Sequence, residues 1–343
     1  MSGAGTDPAG LVAIRGAGYA LPPERWSSAA VERRVRAENP GLRFAPGVLT
    51  LVSGVRERRY ADAATNASDL AAAAGRRALD DAGRRPDEVD LLVFAAASQD
   101  LAEPATCHIV QELLSTHAAV FDVKNACNGF LNGVQIAEAL VALGQHRVAL
   151  VVTGEIPSRG IRWTAPDRAA LVENLPAYTM GDAGGAVVLE RSADASGIIF
   201  RRFLAESRFW PLATVPGGGT RHPRGDEHTY LRGDGAGLKA AFVALGPGLL
   251  HAALAETGIA MDEIAAFLVH QVSLPYLRDF AAHTGIPPDR LVVTIDELGN
   301  MASASLPVAF VRARECGRIR PGDLVAWIGL GAGISAGVLL ARV

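Results

Sequence analysis

Pro86-Asp-Glu-Val-Asp-Leu-Leu-Val-Phe-Ala95 and Met261-Asp-Glu-Ile-Ala-Ala-Phe-Leu-Val269 are one passage written twice, about 175 residues apart. A helical stretch stopped by glycine precedes each: Ser68–Ala82 before Gly83, and Gly248–Glu256 before Gly258. An acidic turn then leads into a continuous apolar run, Val89–Ala95 or Ile264–Val269, of the kind that forms a strand buried on both faces. The offset persists further along. Val120–Val123 runs into the turn Lys124–Cys127 and a helix over Gly129–Leu143, while Leu291–Ile295 runs into Glu297–Asn300 and a helix over Ser303–Cys316. Val148–Val152 matches Leu324–Ile328, and Gly184–Leu189 matches Gly333–Leu340. Strands alternating with helices define an α/β protein. The spacing predicts two duplicated halves, 11–190 and 191–343, each a mostly parallel sheet with crossover helices. Ligands gather at the carboxyl ends of such strands, so the site belongs where both sets of ends meet. Residues 156–178, with Trp163 and three prolines, are an insertion read as a flap or a dimer contact. Residues 1–10 read as a flexible leader, and the glycine-rich stretch Pro216–Gly237 as a mobile loop.

With 49% hydrophobic and 20% charged residues, the 343-residue chain has ample material for a large core. The formal charge of −3 is spread along the chain, which argues against a dedicated nucleic-acid binder. The clusters Arg56–Arg59 and Arg201–Arg202 read as solvated surface. No uninterrupted apolar run reaches the ~18 residues of a membrane span. The first ten residues lack the pattern of a signal peptide, and a cytoplasmic location is the default expectation. Three cysteines without CxxC spacing give neither a disulfide framework nor a usual zinc site.

Cys127 and Asn300 are 173 residues apart and occupy the same place in each half, the turn between a strand and its helix. His270 ends the strand Ile264–Val269. All three therefore fall at strand carboxyl ends. A cysteine at a helix start is expected to favour thiolate, which can take an acyl group from a thioester. His270 and Asn300 can each donate a hydrogen bond to one thioester oxygen, and two neutral donors stabilise an enolate. Backbone N–H groups of Cys127 and Ala332, the latter in Gly329-Leu-Gly-Ala-Gly333, are candidates for the oxyanion hole of the acyl-cysteine. Cys107 and Cys316 read as buried structural residues, and the other seven histidines as structural. The papain-type motif around a cysteine is absent.

At these residues the sequence resembles the β-ketoacyl-ACP synthase III group of the thiolase superfamily. The resemblance is carried by Ala126-Cys-Asn-Gly-Phe130, His270-Gln-Val-Ser273, Gly299-Asn-Met-Ala-Ser-Ala-Ser-Leu-Pro307, Gly54-Val-Arg-Glu-Arg-Arg59 and the terminal glycine-rich loop. It covers nearly the whole chain, in order. It implies the thiolase fold in a layered α/β/α/β/α arrangement, a homodimer, and acyl-CoA or acyl carrier protein thioesters as substrates, with no resident cofactor or metal. Two departures stand out: His-Gln-Val-Ser replaces the usual His-Gln-Ala-Asn, and Pro46–Ser53 lacks the tryptophan associated with gripping coenzyme A.

An OleA-like subgroup, which joins two acyl-CoAs head to head, also has His-Gln-Val-Ser. It carries an Asp-x-x-Glu-Pro segment whose glutamate serves the partner subunit's site as a base. Asp100-Leu-Ala-Glu103-Pro104 matches that segment. Without decarboxylation an α-proton must be removed, so a carboxylate base is required, with its pKa raised by burial. Three alternatives remain: decarboxylative condensation with a malonyl thioester, acyl transfer to an alcohol or amine, and a non-catalytic subunit of a heterodimer.

Overall fold

The computed structural model describes residues 10–343, so most of the leader assigned to 1–10 lies outside the described residues. The chain runs through β1 (Val12–Ala20), β2 (Glu24–Ser27), α1 (Ser28–Glu38), α2 (Val48–Ser53) and β3 (Glu57–Tyr60). Next come α3 (Ala67–Ala82), β4 (Leu91–Ala95), α4 (Thr106–Leu114), β5 (Ala119–Val123), α5 (Gly129–Ala142), β6 (Val148–Glu155), α6 (Arg168–Glu173) and β7 (Ala183–Arg191). The remainder comprises β8 (Gly197–Ala205), β9 (Ala213–Thr214), β10 (Arg232–Gly233), α7 (Gly235–Thr257), β11 (Ile264–Val269), α8 (Leu274–Thr284), α9 (Ile295–Leu298), α10 (Ser305–Glu315), β12 (Leu324–Gly331) and β13 (Ser335–Arg342).

Two sheets carry the architecture, ordered β1-β7-β6-β4-β5 and β8-β13-β12-β11. The order repeats, with one element reduced. The expected strand Leu291–Ile295, counterpart of β5, makes only an isolated bridge from Leu291 to Phe267. The sheets are also mixed rather than mostly parallel. β4–β5, β4–β6 and β11–β12 run parallel, while β1–β7, β6–β7, β12–β13 and β13–β8 run antiparallel. The physical reason is connection length. A short turn between Gly331 and Ser335 can only reverse the chain, whereas a parallel neighbour needs a crossover helix.

Helices α3 and α4 cover the outer face of the first sheet through Leu70, Leu79, Val110 and Leu114. Helices α7 and α8 cover the outer face of the second through Phe242, Leu250, Leu277 and Phe280. Between the sheets lie α5 and α10, whose Phe130, Leu131, Leu306 and Phe310 share one core with Val93, Val151, Leu268 and Trp327. The layering is α/β/α/β/α. Helix α3 begins at a capping box on Asn66 and stops at Gly83, which is left-handed at φ 64°.

Helix α7 starts well before the expected Gly248. Asp234 caps it, accepting from the N–H groups of Ala236 and Gly237. Packing of Leu238, Ala241 and Phe242 on the second sheet holds the turns before Pro247. By length and composition it is the one helix among the described residues able to cross a membrane, at 23 residues and a mean hydropathy of 1.5. Lys239 pairs with Asp279 of α8, and His251 Nε2 lies 3.0 Å from the Thr284 carbonyl, so polar ties join it to its neighbour.

Residues 156–178 pack with Val31, Val35, Phe44, Leu49 and Tyr60 in a separate apolar cluster beside the first sheet. Arg58 belongs to this region and corrects the reading of its cluster as solvated surface, because it is fully buried. Its guanidinium donates to Ser28 Oγ at 3.1 Å and to the Tyr178 carbonyl at 3.0 Å. Pro216–Gly237 is a loop closed by β9 pairing with β10, with Gly217 N–H donating to the His228 carbonyl at 2.6 Å.

Phe310 packs on Trp327 with ring centroids 4.8 Å apart in the central layer. Phe310→Ala is expected to cost about 3–5 kcal/mol in denaturant unfolding. A cost below about 1 kcal/mol would contradict the placement of α10 between the sheets.

Candidate active site

Between the end of β5 and the start of α5, the chain turns sharply at Lys124–Asn128. Ala126 is left-handed at φ 45°, a conformation a side chain with Cβ rarely adopts. It delivers Cys127 to the turn just before the helix, where Asn128 occupies the cap position. The Asn128 side chain is buried against β12. A Cβ on Gly329 would stand 2.1 Å from Asn128 Oδ1, and one on Gly331 would stand 3.0 Å from Asn128 N. Only glycine lets β12 come this close, so the turn containing Ala332 lies directly against the nucleophile turn.

β12 also locates His270, whose N–H donates to the Ile328 carbonyl at 2.8 Å, one step beyond the β11–β12 pairing. His270 is buried, and its Nδ1 has no hydrogen-bond partner among the described residues. Burial lowers its pKa to about 4, so the ring is neutral at neutral pH. Gln271 has a separate task. Its Nε2 donates to the Val292 carbonyl, and its Oε1 accepts from the N–H groups of Thr294 and Ile295, all at 2.9 Å. These bonds take up backbone groups that a strand over Leu291–Ile295 would have paired, and they fix the approach to Asn300.

Asn300 is seated by backbone bonds at 3.0 Å: its N–H donates to the Thr179 carbonyl, and its carbonyl accepts from Gly181. Its side-chain Oδ1 accepts from Ala302 N–H at 3.0 Å, which leaves the amide NH₂ as the outward donor. Three residues on, Ser303 Oγ lies in contact with the Ala126 carbonyl at 3.4 Å. Cys127 and Asn300 thus lie on turns in contact with each other, and His270 adjoins the β12 segment that contacts Asn128.

The thiol differs from expectation. Cys127 keeps part of its surface accessible, yet protein surrounds it densely. Burial first, then the carboxylate of Glu155, push its pKa up to about 12, while its own backbone N–H pulls the other way. At rest Cys127 is therefore a thiol, because burial above all outweighs the helix terminus. Sequence reading passed over Glu155. It closes the apolar strand β6 and is completely buried. Its position at a parallel-strand carboxyl end was the available signal. Burial dominates and raises its pKa on balance, against hydrogen bonds from Ser303, Ala97 and Ser98 that lower it.

Glu103 is placed differently from the other three. It is exposed, on the loop between β4 and α4, and is not among the charges that act on Cys127. The loop itself is well rooted. Asp100 Oδ1 accepts from Ser68 N–H, and Asp100 N–H donates to Thr106 Oγ1, both at 3.2 Å. Asp122 of β5 accepts from the N–H groups of Thr106 and Cys107 where α4 begins. Cys107 is buried as expected; Cys316 is exposed, since it caps α10 instead of lying within it.

Layered sheets with a cysteine and a histidine at converging strand ends, and an asparagine on the adjoining turn after α9, fit a condensing acyltransferase of the thiolase superfamily. The family model for 3-oxoacyl-[acyl-carrier-protein] synthase III matches residues 121–206, and the model for its C-terminal part matches 254–343. The β-ketoacyl-[acyl-carrier-protein] synthase III of Symbiobacterium thermophilum is 32% identical over 337 residues, covering 96% of this chain and 98% of the relative. The chain therefore belongs to the β-ketoacyl-ACP synthase III family. Xanthomonas campestris OleA with cerulenin bound superposes with a TM-score of 0.88 at 30% identity, over 97% of each chain. A cysteine-to-serine variant of that protein has been solved with lauric acid and lauroyl-CoA bound, and other variants replace a histidine or a glutamate. The synthase III of Aquifex aeolicus gives a TM-score of 0.84 at 28% identity, over 97% of this chain and all of that one.

The neutral histidine makes a prediction about stability. Its pKa falls from 6.5 unfolded to about 4 folded, so between those values the unfolded chain binds more protons. The stability linked to His270 is therefore present above pH 6.5 and lost as pH falls toward 4. Relative to His270→Ala, the wild type should lose on the order of 2 kcal/mol between pH 7 and pH 5. Parallel pH dependences in urea unfolding would contradict the buried neutral ring.

Proposed function

We propose that the chain joins two acyl thioesters head to head, as a homodimer in which Glu103 of each subunit serves Cys127 of the other. The observation that carries this reading is the setting of Glu103, an exposed acid on a loop pinned by Asp100 and Thr106, next to a sheet edge. β5 is that edge, with β4 as its only neighbour among the described residues. Unpaired strand edges invite pairing, and Leu101 and Leu113 nearby are 50% and 40% exposed. A second copy docked on this edge would bury Glu103 and raise its basicity. The similarity to OleA, solved with lauroyl-CoA, adds support.

In the first half-reaction Cys127 Sγ attacks the thioester carbonyl, with backbone N–H groups of Cys127 and Ala332 receiving the oxyanion. Coenzyme A leaves as thiolate and takes up the cysteine's proton. In the second, the Glu103 carboxylate removes an α-proton from a second acyl thioester. His270 and Asn300 donate to the enolate oxygen, the α-carbon attacks acyl-Cys127, and the departing sulfur recovers the proton from Glu103. The product is a β-ketoacyl thioester. The thioester itself supplies the activation, and no resident cofactor is invoked.

Decarboxylative condensation with a malonyl thioester is the second reading, favoured by the 32% identity to a β-ketoacyl-ACP synthase III. It needs Cys127, His270 and Asn300 and dispenses with Glu103.

Incubation with lauroyl-CoA alone separates the two. The proposal predicts free coenzyme A and a β-keto product of doubled chain length; acylated Cys127 without product would favour the malonyl route. Cys127→Ala should abolish the acyl-enzyme seen by intact mass. Asn300→Ala should spare acylation and slow condensation about 100-fold. Glu103→Gln should stop the two-acyl reaction while leaving a malonyl-driven one, and full two-acyl activity in that variant would refute the base assignment.

A further inference from the structure

Glu155 is a carboxylate at the centre of the protein with no assigned task. Its two oxygens collect donors from three directions. Oε1 accepts from Ala97 N–H at 2.8 Å, from Ser303 N–H at 3.3 Å and from Ser303 Oγ. Oε2 accepts from Ser98 N–H at 3.0 Å and Ser98 Oγ at 2.8 Å. Ser98 Oγ in turn accepts from Ile156 N–H at 3.1 Å, which commits its proton to Glu155. Three of these donors are backbone N–H groups, which can only donate, so the arrangement suits an acceptor-only carboxylate. A buried charge is tolerable when so fully hydrogen-bonded.

Each donor belongs to a segment that the site needs. Ala97 and Ser98 are the root of the loop that carries Glu103. Ser303 follows Asn300 and touches the Ala126 carbonyl beside Cys127. We propose that Glu155 is a positioning residue that locks the nucleophile turn, the Asn300 turn and the root of the Glu103 loop into one register. The inference rests on the roles given above to Cys127, Asn300 and Glu103, and it adds a carboxylate that touches no substrate. When ionised, it also adds to the burial that keeps the Cys127 sulfur protonated. Of the other titratable groups at these strand ends, His270 stays neutral, and Lys124, which follows β5, donates to Gln99 Oε1 at 3.0 Å.

Two variants separate charge from position. Glu155→Gln removes the charge and turns an NH₂ toward N–H donors. Glu155→Asp keeps the charge and falls one methylene short of its partners. In Glu155→Gln the pH profile for iodoacetamide alkylation of Cys127 should move about one unit lower. In Glu155→Asp it should stay at the wild-type position. Both should condense at least about tenfold more slowly than wild type, a larger loss than in acyl-enzyme formation. Wild-type condensation in both variants, or the same alkylation shift in both, would overturn the proposal. If Glu155→Gln does not fold, Glu155→Asp alone decides, and wild-type condensation in it overturns the proposal. These readouts use wild type as reference, so a wild type that never condenses lauroyl-CoA is a failure of the proposed function and leaves the alkylation comparison standing.

Discussion

Helices α5 and α10 are apolar toward both sheets, and the site depends on that one constraint. Leu131 and Val134 of α5 and Leu306 and Phe310 of α10 share a single core with strands from both sheets. Burying two apolar faces at once fixes the distance and the relative turn of the sheets. It also brings together the strand ends from which Cys127, Glu155 and His270 emerge. The turn before α5 and the turn before α10 then touch, through Ser303 and Ala126. A nucleophile from one half and a hydrogen-bond donor from the other meet because their helices share a layer.

Inside that junction, low polarity governs the chemistry. His270 is neutral and Cys127 is a thiol for the same reason, the cost of removing charge from water. A neutral histidine and an asparagine amide are suited to stabilising a developing enolate without competing for its proton. Glu155 follows the same rule, since burial raises its pKa, while backbone and hydroxyl donors hold its carboxyl in place. Asp182, at the other end of the same neighbourhood, is raised to about 6 by burial and is held by Ser158 and Ala61.

The fold was legible because duplication writes its grammar twice. The glycine-stopped helices and apolar strands at a fixed offset pair Cys127 with Asn300 in the sequence itself. The β5 counterpart near Leu291 was misread as a strand because an apolar run does not reveal that Gln271 captures its backbone. Helix α7 extends well ahead of Gly248 because packing on the second sheet carries it through Pro247. Arg58 and Glu155 were invisible for a related reason. A charged residue in a sequence looks like surface until its partners, more than a hundred residues away, are seen around it. The role proposed for Glu103 would be a property of two chains, which a single sequence does not display.

The most direct test of the account is complementation between subunits. Cys127→Ala and Glu103→Gln proteins, each inactive alone with lauroyl-CoA, would be unfolded together, refolded as mixed dimers and assayed for the doubled-chain β-keto product. A heterodimer pairs the intact Cys127 of one chain with the intact Glu103 of the other, so recovery on the order of a quarter of wild-type activity is predicted. No recovery from dimers shown to be mixed would contradict a site completed across the interface.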